Sequence, residues 1–288
     1  MKTLLKRSAM FVPLMMGLAL ANPASPAGAV MDFGALDTLQ ALGKTEAVIA
    51  FPVKSAPSYI GEIKTASVND TGSLKDASVE LLTELKPDFI VISPRLGGKA
   101  EELGKIAPVI NFAATGDDYF AAVSQNVLAL AKQVNAETEA NTKLNELNAK
   151  LDDVRSNVAK SDKTALVMMH NAGKTFAAPT GGAGKFIHNF LGVKNAVTAA
   201  PSEERQAVNA EFLAEVQPDV IYIVDRSAAI GQDPMALDTF KNEVVSTVKT
   251  KDGNDIKVVY LEPALWYLSG NGLMSVEAQA KEVEAGLQ

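Results

Sequence analysis

The sequence contains no cysteine and only two histidines among its 288 residues. Without cysteine, the chain cannot form a disulfide, a thiolate metal site or a cysteine nucleophile. Two histidines are too few to build a histidine-rich zinc site. Basic residues are also outnumbered, with 27 Lys and Arg against 34 Asp and Glu. This acidic balance argues against nucleic-acid binding.

Motifs for catalysis and nucleotide binding are lacking as well. The Gly-rich segments 171–175 and 181–186 do not have the spacing of a P-loop, and no Gly-x-Gly-x-x-Gly follows a predicted strand. The sequence has no Gly-x-Ser-x-Gly motif, and its two histidines give no basis for a Ser/His/Asp set. We therefore expect no enzymatic activity and no intrinsic cofactor.

The N-terminus has the pattern of a secretion signal. Three basic residues lie within the first seven positions, an apolar run follows at 8–21, and small residues offer cleavage after Ala21 or after Ala29. The apolar run is shorter than the segment that a transmembrane helix needs. The alternative to a cleaved signal is an uncleaved N-terminal anchor. Because the chain has no cysteine, we expect a soluble, periplasmic protein that is not a lipoprotein.

A sixteen-residue stretch occurs twice, at 80–95 and at 211–226, with eight identical positions and no gap. Each copy predicts the end of a helix, a Pro-Asp turn, a buried strand and an arginine just after the strand. These arginines are Arg95 and Arg226. The offset of 131 residues is too long for a solenoid repeat and indicates two similar lobes.

The order of predicted elements indicates an α/β protein. Strands alternate with helices in both halves, which predicts mainly parallel, Rossmann-like sheets in an N-terminal lobe at 30–116 and a C-terminal lobe at 161–288. Between them, residues 117–159 contain no Pro or Gly and have helical periodicity. We expect a linking helix at 117–160, with a bend near 135–137 and a length of roughly 50 Å or more.

This organisation, together with the run Trp-Tyr-Leu-Ser-Gly-Asn-Gly at 266–272, resembles the periplasmic substrate-binding proteins of iron–siderophore and cobalamin ABC importers. It is most similar to the branch that binds ferric catecholate siderophores of the enterobactin, vibriobactin and petrobactin types. The resemblance covers residues 29–288. It implies a monomer of the helical-backbone type that captures a ferric siderophore and delivers it to an ABC permease.

The resemblance also implies the binding residues. Arg95 and Arg226 match two of the three cleft arginines that meet anionic catecholates in that branch, and Arg205 is the expected third. Tyr267 matches a tyrosine that can bind Fe(III) directly. The histidine that usually partners this tyrosine is absent, because residues 203–207 are Glu-Glu-Arg-Gln-Ala. Direct iron coordination would therefore involve Tyr267 alone or with Glu204.

Further residues are expected at the cleft and at the permease. Lys54, Tyr59 and Lys99 lie in loops that should border the cleft. In the family, one surface glutamate per lobe docks onto the permease, seven residues before the Pro of the Pro-Asp turn. Glu80 and Glu211 match this spacing.

Other functions remain open from the sequence. The same fold could hold haem, cobalamin or another metal chelate. A bare Zn or Mn ion is a weaker alternative because of the two histidines. An exported α/β enzyme is the alternative from a different class.

Overall fold

The computed structural model describes residues 26–61, 63, 68–197 and 206–288. Residues 1–25 of the expected signal, and Glu204 and Arg205 in the expected polar loop, lie outside these ranges. Within them, no helix combines the length and the hydropathy that a membrane crossing requires.

The N-terminal lobe is built on an all-parallel sheet. Its five strands are β1 (Gly28–Met31), β2 (Val48–Phe51), β3 (Asn69–Asp70), β4 (Phe89–Ile92) and β5 (Val109–Asn111). They lie in the order β3-β2-β1-β4-β5. Every residue of β1 and β4 is buried, as is typical of central parallel strands with helices on both faces.

Short helices surround this sheet. They are α1 (Phe33–Ala41), α2 (Val79–Leu85) and α3 (Ala100–Leu103), with 3₁₀ turns at Thr45–Ala47, Val53–Ser55 and Pro94–Lys99. The loop predicted to contain Lys99 forms the last of these 3₁₀ turns, which closely follows β4.

The segment after the N-terminal lobe forms two helices rather than one. They are α4 (Tyr119–Gln133) and α5 (Glu137–Val158). Asn135 has a positive φ of 50° and interrupts the helix at the predicted bend. Helix α4 packs on β5 and α1, and α5 leads on to the C-terminal lobe. The 22 residues of α5 span about 33 Å.

The C-terminal lobe contains a mixed sheet. Its strands are β6 (Thr164–Asn171), β7 (Lys174–Ala177), β8 (Lys194–Asn195), β9 (Val220–Asp225) and β10 (Lys257–Tyr260). The order is β10-β9-β6-β7, and β8 also pairs with β6. Strand β7 is antiparallel to β6, and the other pairs are parallel. The expected α/β fold with two mainly parallel sheets is thus confirmed.

The helices of this lobe are mostly short. They are α6 (Gly182–Gly184), which continues as a π-helical segment at Lys185–Phe190, α7 (Ala210–Val216), α8 (Arg226–Ala229), α9 (Leu237–Glu243), α10 (Pro263–Tyr267) and α11 (Leu273–Leu287), with a 3₁₀ turn at Val245–Thr247.

The two copies of the repeat have the same helix ends. The side chains of Ser78 and Asn209 cap α2 and α7 by accepting hydrogen bonds from backbone N–H groups three residues later. Lys86 and Gln217 end these helices in the left-handed conformation, with φ of 48° and 45°. The Pro-Asp turn therefore begins from the same backbone geometry in each lobe.

The shared aspartate of the repeat joins its strand to a neighbour. Asp88 accepts the Ala27 N–H at 2.8 Å, just before β1. Asp219 accepts the Thr164 N–H at 2.7 Å, at the start of β6. Equivalent contacts thus set the register of β4 and β9 against their partners.

Two further segments at the ends of strands are regular structure. Residues 174–177 form β7, which follows β6 through a tight turn in which Ala172 and Gly173 have φ of 49° and 75°. Two positive φ values are typical of a type I′ hairpin. Residues 263–267 form α10, which begins with proline and is capped by the Glu262 carboxylate.

The C-terminal helix α11 packs across the molecule on α1 and α5. Asp37 of α1 accepts the N–H groups of Met274 and Ser275 at 3.0 and 3.1 Å, at the N-terminus of α11. A Cβ on Gly272 would overlap the Gly34 carbonyl oxygen and the Asp37 carboxylate. This close approach holds the segment before α11, which includes α10, against the N-terminal lobe.

Candidate functional site

A cleft of about 680 Å³ lies where the two central strands end. Arg95 comes three residues after β4, and Arg226 comes directly after β9. Open α/β sheets bind ligands outside the carboxyl ends of their strands, so this is the expected edge. The lining includes Lys54, Pro57, Ser58, Ser73, Lys75 and Arg95 from the N-terminal lobe, and Arg226, Ile230, Glu262, Ala264, Tyr267 and Leu268 from the C-terminal lobe.

Arg226 is held in place from two directions. Its Nε–H donates to the Tyr267 hydroxyl at 2.7 Å. Its Nη1 donates to the Asn171 side-chain carbonyl. The guanidinium also lies 5.4 Å from the centre of the Tyr267 ring. The side chain is half-buried, so the contacts leave a cation with a defined position at the cleft wall.

Arg95 reaches the same tyrosine from the other lobe. Its Nη2 donates to the Tyr267 backbone carbonyl at 2.5 Å, and its guanidinium lies 5.1 Å from the centre of the ring. These distances fall within the range of a cation–π contact. Arg95 remains exposed, so it is available to a ligand.

Tyr267 is therefore the point at which the two arginines meet. It ends α10, whose first turn is fixed by the bond from the Leu265 N–H to the Glu262 carboxylate at 2.5 Å. The neighbouring Trp266 is buried and donates from its indole to Glu282. The buried tryptophan and the capped helix fix the half-buried Tyr267 at the cleft surface.

The cleft has an excess of positive charge. Among the described lining residues, four side chains are cationic, and Glu262 is the one carboxylate. Lys54 and Lys75 are exposed, and the Lys54 ammonium lies 3.8 Å from the Asp70 carboxylate. Guanidinium groups can donate to oxygen anions and stack on aromatic rings. The arrangement therefore suits an anionic ligand with planar groups.

Two residues predicted for the cleft lie outside it. Tyr59 is turned inward, where its hydroxyl donates to Asp37 at 3.3 Å and is also bonded to Ser269. Burial raises the pKa of Tyr59, so it stays a neutral phenol. Lys99 pairs with the Asp76 carboxylate, a hydrogen bond that raises the pKa of the lysine. Of the other predicted cleft residues, the structure brings together Lys54, Arg95, Arg226 and Tyr267. Arg205 is outside the described residues.

Glu80 and Glu211 occupy equivalent exposed positions. Each lies in the first turn of its helix, α2 or α7. In the part of the chain that the structure describes, neither forms an ion pair. Their carboxylates thus point to solvent from both lobes.

Three residues of the site were missed from the sequence. Lys75 lies in the loop after β3. Ligands bind after the carboxyl ends of strands, so this position was the signal for Lys75 in the sequence. Glu262 precedes a proline, which is a helix-start signal. Asn171 ends a strand with no distinguishing motif, so only the structure links it to Arg226.

The described ranges contain no group of three or more His, Cys, Asp or Glu side chains placed to hold a metal ion.

Comparison with known proteins places these features in context. Residues 29–256 match the sequence pattern of the family described as periplasmic binding protein. The chain is 33% identical over 261 residues to the petrobactin-binding protein YclQ of Bacillus subtilis, a match covering 90% of this chain and 81% of the relative. It is 29% identical over 268 residues to the ferric-anguibactin-binding protein FatB of Vibrio anguillarum, covering 90% and 82%.

Solved structures of similar fold are also binding proteins for siderophores by name. The crystal structure of YclQ superposes with a TM-score of 0.82 and covers 92% of each chain. The periplasmic catecholate-siderophore binding protein VctP of Vibrio cholerae superposes with a TM-score of 0.77 at 25% identity, covering 92% of this chain and 95% of its own.

Proposed function

Because the chain belongs to the periplasmic binding protein family, we propose that it captures a ferric siderophore and passes it to an ABC permease for iron uptake. The observation that supports this best is the meeting of Arg95 and Arg226, one from each lobe, at Tyr267. A ligand bound there would contact both lobes at once.

The chemistry of the cleft favours a catecholate or mixed-catecholate ligand. A ferric tris-catecholate carries several negative charges on planar aromatic rings. Guanidinium groups can satisfy both features, by donating to the oxygens and by stacking on the rings. Ile230, which is exposed and lines the cleft, adds apolar surface for a ring.

The relatives support siderophores over the other metal chelates. YclQ is named for petrobactin and FatB for ferric anguibactin, whereas haem and cobalamin occur in neither name. All are named as binding proteins, which supports capture of the ligand without chemical conversion. Iron is then cargo that arrives within its chelator.

Tyr267 is the candidate for direct contact with iron. Its phenol oxygen already lies in the cleft, where it accepts from Arg226. If a siderophore leaves coordination positions open, the phenol can release its proton to solvent, and its oxygen can exchange the hydrogen bond from Arg226 for a bond to Fe(III), which favours oxygen ligands. A siderophore that saturates the iron would instead leave the hydrogen bond intact.

Glu80 and Glu211 are proposed to dock onto the permease. In each lobe a helix is followed by a three-residue turn and a strand, so the helix start and the carboxyl end of the strand lie at the same edge. Both glutamates would therefore face the permease together with the cleft mouth. One glutamate per lobe suits a monomer that contacts two permease subunits.

The proposed route to the periplasm is an N-terminal signal. Of the two candidate cleavage sites, Ala21 keeps β1 whole. Cleavage after Ala29 would remove two residues of β1 and the contact between Ala27 and Asp88. We expect mass spectrometry of the exported protein to find Asn22 at its N-terminus, and a first residue of Val30 would contradict this.

A titration tests the proposed function. Purified protein is mixed with ferric complexes of tris-catecholate, mixed catecholate, hydroxamate and citrate types, and the fluorescence of Trp266 is followed. As the chain's one tryptophan, next to Tyr267, it reports on the cleft. We expect saturable quenching with the catecholate types, and haemin and cobalamin serve as controls. Absence of saturable quenching by every siderophore type would refute the proposal.

A further inference from the structure

We propose that Asn171 is the positioning residue for Arg226, so that the cleft presents one fixed cation, Arg226, and one adjustable cation, Arg95. The predicted effect of Asn171 on ligand binding rests on the proposed function. Its structural part concerns the ligand-free protein and can be tested separately.

The first step is the register of two neighbouring strands. β6 and β9 are parallel, and His170 lies directly opposite Asp225. Asn171 is the last residue of β6 and Arg226 directly follows β9, and their side chains are hydrogen-bonded to each other. Two consecutive residue pairs thus join the two chain segments at the carboxyl end of the sheet. The first is buried, and the second leads to the cleft.

The buried pair anchors the backbone from which Arg226 projects. The Gly173 N–H donates to His170 Nε2 at 3.2 Å, so the imidazole proton is on Nδ1 and is donated to Asp225 at 2.8 Å. Asp225 also accepts from the Met235 N–H at 2.6 Å and the Tyr260 hydroxyl at 2.7 Å. A fully buried carboxylate with these donors leaves little freedom to the next residue.

The second pair fixes the side chain. Asn171 and the Tyr267 hydroxyl accept from opposite parts of the Arg226 guanidinium, from Nη1 and Nε. Hydrogen bonds from a charged donor are among the stronger ones in proteins. Asn171 does not line the described cleft, so it would act on a ligand only through Arg226.

Arg95 has no equivalent support. It is exposed, its side-chain hydrogen bond and its ring contact are both to Tyr267, and it acts on the buried Asp32 carboxyl only through space. The repeat therefore provides two arginines at matching positions but with different freedom. A preorganised cation avoids part of the ordering cost on binding. An adjustable one can follow ligands of different shape.

A double-mutant cycle tests the role in binding. We expect Asn171→Ala to weaken the affinity for the tightest ferric catecholate about 10-fold, as for the loss of a hydrogen bond to a charged group. In the Arg226→Ala background the same substitution should cause no further loss. The matched control is Asn69→Ala. Asn69 lies in β3, the edge strand of the N-terminal sheet, and this variant should bind as the wild type. Unchanged affinity, or a loss that persists without Arg226, would overturn the proposal.

A second measurement needs no ligand. In the ¹⁵N-labelled protein, the Arg226 Nη1 hydrogens, which donate to Asn171, should give a protected NMR signal, assigned by its loss in Arg226→Lys. We expect Asn171→Ala to broaden or remove it, and Asn171→Asp, which keeps an acceptor oxygen, to retain it. If no siderophore binds the wild type, the proposed function fails and this signal alone decides the positioning role. An unaltered signal in Asn171→Ala would overturn that role.

Discussion

Tyr267 brings two guanidinium groups from different lobes to one aromatic ring. Arg95 bonds to its carbonyl and Arg226 to its hydroxyl, so both the backbone and the side chain of the tyrosine are used. Like charges at this separation repel each other, and an anionic ligand would relieve that repulsion. The tyrosine thus keeps two cations together until a ligand arrives.

Replacing the phenol tests this residue directly. Tyr267→Phe keeps the ring and the carbonyl but removes the acceptor for Arg226. For a hexadentate ferric catecholate we expect affinity to fall about 10-fold, because one charge-assisted hydrogen bond is lost. For a tetradentate complex the fall should be larger, since the phenol would also coordinate iron. Fluorescence titration of both complexes measures the two changes, and equal losses would exclude direct coordination.

Asp37 is a buried carboxyl that ties α1 to α11. Burial raises its pKa to about 7. Hydrogen bonds from Ser275 and Met274 lower this pKa but do not cancel the effect of burial, and the nearby Asp32 carboxyl raises it further. The folded protein therefore holds this proton more tightly than the unfolded chain does. The resulting stability is fully present below the ordinary aspartate pKa of about 4 and is lost as pH rises through about 7.

The substitution Asp37→Asn removes this titration. As the pH falls from about 8 to about 5, the unfolding free energy of the wild type should rise by about 2 to 3 kcal/mol relative to that of the variant. Urea unfolding at several pH values measures the difference. A gap between the two proteins that does not change with pH would contradict the raised pKa.

At the scale of elements, α11 and the segment before it connect Tyr267 at the cleft to the N-terminal lobe. Gly34 in α1 and Gly272 before α11 approach so closely that neither position has room for a Cβ. The glycines near the end of the Trp-Tyr-Leu-Ser-Gly-Asn-Gly run therefore serve packing, while its tyrosine serves the cleft. One short run combines both roles.

Gly272→Ala tests this packing. The added methyl would overlap the Gly34 carbonyl and the Asp37 carboxylate. We expect the unfolding free energy to fall by about 1 to 3 kcal/mol, as for overpacked sites. Gly98→Ala, where a Cβ meets open space, is the control and should change stability little. Equal stability of the two variants in denaturant unfolding would contradict the close approach.

The elements differ in how far the sequence predicts them. The gapless repeat predicts the strands that lead to Arg95 and Arg226, because helix, turn and strand recur in one order. Strand β7 was missed because its turn is formed by Ala172 and Gly173, a pair with a weak turn signal. Tyr59 was misplaced because its partner Ser269 is 210 residues away in the chain. Contacts over such distances leave no local pattern.

At the scale of the molecule, the chain is two lobes that both line one cleft. A buried cluster extends through both lobes and includes Phe33, Val167 and Trp266. With α5 as the link and α11 packed across it, large opening motions would disrupt buried contacts. We therefore expect small lobe movements on binding, and cations from both lobes to be needed for affinity.

The most direct test of the account combines Arg95→Ala with Arg226→Ala. The control, Lys194→Ala with Lys249→Ala, removes two cations that pair with Asp162 and Asp255 outside the cleft. Titration with a ferric catecholate should show a loss of at least about 100-fold for the arginine variant, with unfolding free energy close to the wild type. The lysine control should bind normally. Equal affinity of the arginine variant and the wild type would contradict the account.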